Sequence, residues 1–202
     1  MIVTQISEAS KSRCRIYIDG QFAFVLYKGE LRQFHIKEGE ELPVLSYQEI
    51  TAEILPKRAK LRCMNLLQSR DYTRRQLEDK LKQGDYPPDC IEEAIAYMIS
   101  YGYIDDLRYA RDFIEYHINS RSRMRIETDL MRKGIDSDVI RKAFAELDEK
   151  GVEQDELAMI QELLRKKNYS LKTANRQDQQ KMYGFLYRRG FRPDTIAKAL
   201  SL

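Results

Sequence analysis

The sequence predicts a mainly α-helical protein: three tandem three-helix repeats, helix-turn-helix-like and set in an elongated curved array, behind a small N-terminal β-hairpin element. Two observations predict it. First, one phrase occurs three times: a Leu, four residues on an Asp or Gly, an apolar residue directly after, then x-x-Asp-x-Ile-x-x-Ala. Its copies are Leu81, Asp85, Tyr86, Asp89, Ile91, Ala94; Leu130, Gly134, Ile135, Asp138, Ile140, Ala143; and Leu186, Gly190, Phe191, Asp194, Ile196, Ala199. The copies stand 49 and then 56 residues apart, a step that fits several helices per repeat. Second, apolar residues alternate in the first 30 residues and recur at helical spacing from residue 57 on.

The phrase has a physical meaning. A helix ends near its Leu, and the residue four later takes the left-handed conformation of a C-cap, which Gly134 and Gly190 adopt more readily than Asp85. The next apolar residue folds back on the finished helix. A second helix begins with Asp89, Asp138 or Asp194 in its first turn, where a carboxylate meets the positive end of the dipole. Ile and Ala then supply its buried stripe.

Taken in order, residues 1–55 form the β element. Ile2 to Ile6 reads as a short strand, and Arg13 to Ile18, Asp19-Gly20, Phe22 to Tyr27 as a hairpin, since Asp-Gly readily supplies positive φ angles. Its register stays open. A two-residue turn sets Ile18 opposite Gln21, whereas matching the apolar faces sets Ile18 opposite Phe22 through a longer loop. A helical turn follows at Glu30 to Phe34 and a helix from about Ser46 to Leu55, with Pro56 as hinge and domain boundary. The first repeat spans residues 57–102, with helices at about 57–69, 73–84 and 88–101 and Thr73 as an N-cap. The second spans 103–150, with helices at about 106–119, 123–133 and 137–149; the third spans 153–202, with helices at about 153–167, 174–189 and 193–201. The last helix of each triplet holds the place of a DNA-reading helix, yet its Ile and Ala favour a core role.

Composition narrows the function. The chain has 202 residues, 43% hydrophobic and 33% charged, without a signal-peptide pattern or a membrane-length apolar run, which places it in the cytoplasm. Cys14, Cys63 and Cys90 lie far apart, and His35 and His117 are the only histidines, so no metal site, cofactor or catalytic constellation is expected. The net charge of +3 is uneven: residues 161–202 carry ten Lys and Arg against three acids. A basic end of this kind suits nucleic acid or an acidic protein surface, or forms a solvated face. Candidate contacts are Arg121, Arg123 and Arg125 before the second repeat's middle helix, and Lys181, Arg188 and Arg189 before the last cap. Arginine pairs in bidentate fashion with carboxylate or phosphate.

The join between the first two repeats reads Tyr101-Gly102-Tyr103-Ile104-Asp105-Asp106-Leu107-Arg108-Tyr109-Ala110-Arg111. Physically, Gly102 ends one helix, Tyr103 and Ile104 cover the join, and Asp105 or Asp106 caps the next. Together with Arg70-Asp71-Tyr72-Thr73 and Lys133-Gly134-Ile135, and with Gly102, Tyr103, Asp105, Asp106 and Arg108 carrying the match, this strongly resembles the RecX family of recombinase regulators over residues 57–202. Leu107 stands where that family usually has a polar residue, and the stretch from Arg121 to Arg125 lacks the family's frequent Gly. The resemblance implies a small cytoplasmic protein that binds the RecA recombinase filament on single-stranded DNA, with direct DNA contact open; a monomer is expected because the final helix can use its apolar positions within its own repeat. It further implies limits on filament growth, ATP hydrolysis, strand exchange and co-protease activity in the SOS response, DNA repair and homologous recombination. The alternative is direct DNA binding through the helix-turn-helix-like repeats.

Overall fold

A computed structural model describes residues 1–201. Three antiparallel strands, β1 (Val3–Ser10), β2 (Arg13–Ile18) and β3 (Gln21–Tyr27), form a sheet in sequence order. Both hairpin registers read from the sequence are present in part. Asp19 and Gly20 sit at φ 49° and 83°, a two-residue turn that pairs Ile18 with Gln21. A bulge between Ile16 and Tyr17 then shifts the pairing, so that Ile16 faces Phe24 and Cys14 faces Leu26. The bulge satisfies turn chemistry and core matching together: Ile16, Phe24 and Leu26 are fully buried while Phe22 stays exposed. Each such side chain contributes roughly 1.5–3 kcal/mol of burial.

After α1 (Lys28–Gln33), the chain enters α2 (Val44–Glu49), passes through a π turn at Ile50–Ile54, and continues as α3 (Leu55–Leu67). Pro56, expected to be a hinge, instead lies buried inside this run, as the second residue of α3. Proline has no N–H to give a carbonyl one turn back, and the wide turn absorbs the mismatch. The Thr51 carbonyl, five residues before Pro56, is met by the Cys90 thiol at 3.9 Å. Burial, then Glu93 and Asp89, raise the Cys90 pKa and keep that proton in place. The chain continues as α4 (Arg74–Lys82) and α5 (Pro88–Ser100). Thr73 caps α4 by accepting from the Gln76 amide at 3.2 Å, while the Gln76 side chain accepts from the Thr73 amide.

The remaining helices are α6 (Asp106–His117), α7 (Arg123–Arg132), α8 (Ser137–Glu149), α9 (Glu156–Lys166), α10 (Arg176–Arg188) and α11 (Pro193–Leu200). The chain divides into two compact halves, Met1–Asp105 and Asp106–Leu202. In the first half, sheet residues such as Ile16 and Phe24 share one core with Leu77, Ala94 and Met98 of the helices. The second half holds two apolar clusters, one around Ile114, Leu130 and Phe144, the other around Ile160, Leu186 and Ile196.

The repeated phrase is a Schellman clamp at all three places. Asp85, Gly134 and Gly190 have φ 58°, 83° and 84°. The amides of Tyr86, Ile135 and Phe191 donate to the carbonyls of Leu81, Leu130 and Leu186 at 3.2–3.3 Å, and the three leucines are fully buried. Asp85 holds its left-handed backbone while its carboxylate takes Arg15 of β2 at 2.8 Å, which ties the first clamp to the sheet.

Candidate interaction site

The site lies in the second half, where the turn before α7 meets the end of α10. Ser122 is the N-cap of α7 and is 1% exposed. Its hydroxyl accepts from the Arg125 amide at 3.3 Å and donates to the Arg189 carbonyl at 2.7 Å. One oxygen thus satisfies a helix start and a helix end. A Cβ on Gly190 would come within 2.8 Å of that same oxygen, and φ is 84°, so glycine is required there on two counts. The turn is fastened further by Gln154, whose amide nitrogen donates to the carbonyls of Ile118 and Arg121, and by Glu156, which accepts from the Arg123 amide at 2.9 Å.

Above this junction Arg121, Arg125, Arg188 and Arg189, with Ser120, Ser122 and Phe191, line a cleft of about 280 Å³. Asp129 accepts from Arg121 at 2.8 Å and from Arg125 at 3.1 Å. Among the described residues no carboxylate lies within ion-pair distance of Arg188 or Arg189. The cleft therefore holds four guanidinium groups against one carboxylate, and an anion entering it relieves their mutual repulsion. Arg189 also lies over the Phe185 ring at 4.7 Å, a placement that holds its fork in one plane.

Folding thus brings together four of the six basic candidates. Arg123 turns elsewhere, pairing with Glu127 at 3.2 Å and lying over Phe144 at 4.1 Å. Lys181 lines a separate cleft with Lys167, Tyr169 and Asp178. Sequence reasoning missed Asp129, the carboxylate that aligns two of the arginines, although its i+4 relation to Arg125 is a readable signal. It also missed a ladder on α6 at i, i+4, i+8: Tyr109 stacks on Phe113 at 6.4 Å, and Phe113 meets His117 at 4.4 Å. Arg121 caps Phe113 at 5.8 Å, so the ladder leads to the cleft. Burial, then Arg121, lower the His117 pKa; Asp129 opposes them, and Lys133 adds a smaller lowering push.

At the first join the backbone turns from α5 to α6. Gly102 has φ 67° and closes α5, with the Tyr103 amide donating to the Met98 carbonyl at 2.9 Å. Tyr97, Tyr101 and Tyr103 form a surface stack with centroid separations of 4.6 and 6.2 Å. Asp106 opens α6 with Asp105 just before it, and Arg108 is an exposed residue of its first turn. Among the described residues no helix is long and apolar enough to cross a membrane, and no group of three or more His, Cys, Asp or Glu is placed to hold a metal ion.

Three-helix repeats with arginines gathered where two of them meet define a helical-repeat protein with a basic cleft. Family models agree on which one. The first three-helix domain of RecX matches residues 59–98, the second 105–143 and the third 153–200. Regulatory protein RecX of Caldanaerobacter subterraneus subsp. tengcongensis is 31% identical over 204 residues, spanning 100% of both chains. Regulatory protein RecX of Bacillus subtilis is 28% identical over 98% of this chain and 75% of its own. A crystal structure of regulatory protein RecX has the same fold, with a TM-score of 0.64 at 24% identity over 99% of this chain and 98% of that one. RecX from Lactobacillus salivarius gives 0.62 at 25% identity, over 73% of this chain and 96% of that one. The chain belongs to the RecX family, and its role is regulatory.

Proposed function

We propose that this protein modulates the RecA recombinase, as a monomer in the cytoplasm, by binding the RecA–single-stranded DNA filament and limiting its growth. Filament ATP hydrolysis, strand exchange and co-protease activity fall as a result. Family membership along the whole chain carries this reading. The arginine cleft supplies its chemistry, since unpaired guanidinium forks suit either the carboxylates of a recombinase protomer or the phosphates of its DNA. Duplex reading by the last helix of each repeat is disfavoured. Its Ile and Ala sit in the cores, and the exposed face of α5 carries Asp89, Glu92 and Glu93, which repel phosphate.

The test is the single-stranded-DNA-dependent ATPase of the recombinase, titrated with this protein at substoichiometric ratios. Hydrolysis should fall with the native chain and recover with R188Q/R189Q, while R123Q, whose side chain is engaged by Glu127 and Phe144 away from the cleft, should still inhibit. Unchanged hydrolysis together with unchanged filament length would overturn the proposal.

A further inference from the structure

A second basic cleft, in the first half of the molecule, has no part in the reading above. It encloses about 520 Å³ and is walled by the β1–β2 turn, the end of β3, α3 and the end of α4. Arg13, Arg62 and Lys80 reach it from three different elements, alongside Ser10, Ser12 and Tyr86. Among the described residues no carboxylate lines it.

That imbalance contrasts with the rest of this half, where basic side chains are widely paired. Arg15 pairs with Asp85, Lys28 with Glu8, Arg58 with Glu30, Lys60 with Glu93, and Arg74 and Arg75 with Glu78 and Asp79. Three of those acids, Glu8, Glu30 and Asp85, lie close in sequence to cleft residues, yet each is committed to another cation. Among the described residues Arg13 has only the Ser10 hydroxyl, at 3.4 Å, and Lys80 only the Gln83 side-chain oxygen, also at 3.4 Å. Gly84 completes the wall: a Cβ there would meet the Tyr86 ring at 3.0 Å and the Leu81 carbonyl at 3.2 Å, so a larger residue would push the ring aside by a few tenths of an ångström.

We propose that this cleft binds the terminal phosphate chain of a nucleotide, either free or at the 5′ end of a DNA strand. The volume falls in the range of small-ligand sites. Three uncompensated charges in one cleft exceed the single charge that each internal phosphodiester presents, and they match a terminal phosphate, which carries about two charges, or a phosphoanhydride, which carries more. The serine and tyrosine hydroxyls add neutral donors for the remaining oxygens.

The full chain is titrated with pyrophosphate, ATP, and short oligothymidylates bearing a 5′ phosphate or a 5′ hydroxyl, followed by calorimetry and by the amide resonances of Ser12, Arg13 and Gly84. Pyrophosphate and ATP should compete for one site, and R62A/K80A should weaken both at least tenfold. R13Q, which keeps the side-chain stem, should weaken them too. Tighter ATP than 5′-phosphorylated oligonucleotide identifies a free nucleotide as the source; the reverse identifies a strand end. Equal binding of the two oligonucleotides, insensitive to pyrophosphate, would overturn the proposal in favour of internal phosphodiesters. So would loss of binding in R188Q/R189Q with R62A/K80A unaffected, or no binding at millimolar ligand.

Discussion

Ser122 and Gly190 occupy one small volume, and neither tolerates a change in the other's size. Ser122→Ala removes an N-cap worth about 1 kcal/mol and strands the Arg189 carbonyl, about 1–3 kcal/mol more. Gly190→Ala adds a side chain at positive φ, about 1–2 kcal/mol, and a contact that must give. Removing the serine oxygen makes room for the new methyl, so the double variant in urea unfolding should cost about 1 kcal/mol less than the sum. His117 offers a second measurement. Its NMR titration midpoint should lie below 6.5, and Arg121→Ala should raise it, because that guanidinium opposes imidazolium. The unfolded chain then takes up the proton first, so the histidine's contribution to stability is present above pH 6.5 and falls away below it. The cleft was half legible. Basic runs flagged Arg121, Arg125, Arg188 and Arg189, but the meeting of segments 67 residues apart depends on the Ser122 hydroxyl, whose partner no local pattern reveals.

At the scale of the element, the helix-reversing clamp was readable because its ingredients are local: a leucine, a residue able to hold positive φ, and an apolar follower. Asp85 is the informative exception, since it accepts backbone strain and gains an ion pair to Arg15. Asp85→Gly should relieve about 1 kcal/mol and lose a half-exposed pair worth about 0.2–1 kcal/mol, leaving the urea midpoint nearly unchanged. Asp85→Asn should lower it slightly, and Asp85→Ala most, with a loss of stability of about 1–2 kcal/mol, since alanine has neither glycine's freedom nor the carboxylate. What could not be read were elements where two local rules conflict. The hairpin turn and its apolar faces demanded different registers, and a bulge met both. Pro56 signalled a break, but a π turn and a thiol donor carry the helix through.

At the scale of the whole molecule, the helix through Pro56 and the shared core bind the sheet to the first repeat. A chain cut between Asp105 and Asp106 should therefore give two fragments that each melt cooperatively, whereas one starting at Lys57 should lose the cooperative transition of the first repeat, as seen by circular dichroism. The three repeats are also unequal in a way that matters for change. Five residues join α6 to α7, whereas nine join α9 to α10, within the longer of the two repeat steps. The three repeated clamps lie outside that connection, and the like turn that closes α9 at Asn168 and Tyr169 precedes residue 170, so length can vary beyond it without disturbing a helix reversal. Residues 170–173 are thus the place where this chain should accept an inserted tag or fluorophore, and where its relatives are free to differ in length while keeping the same bends.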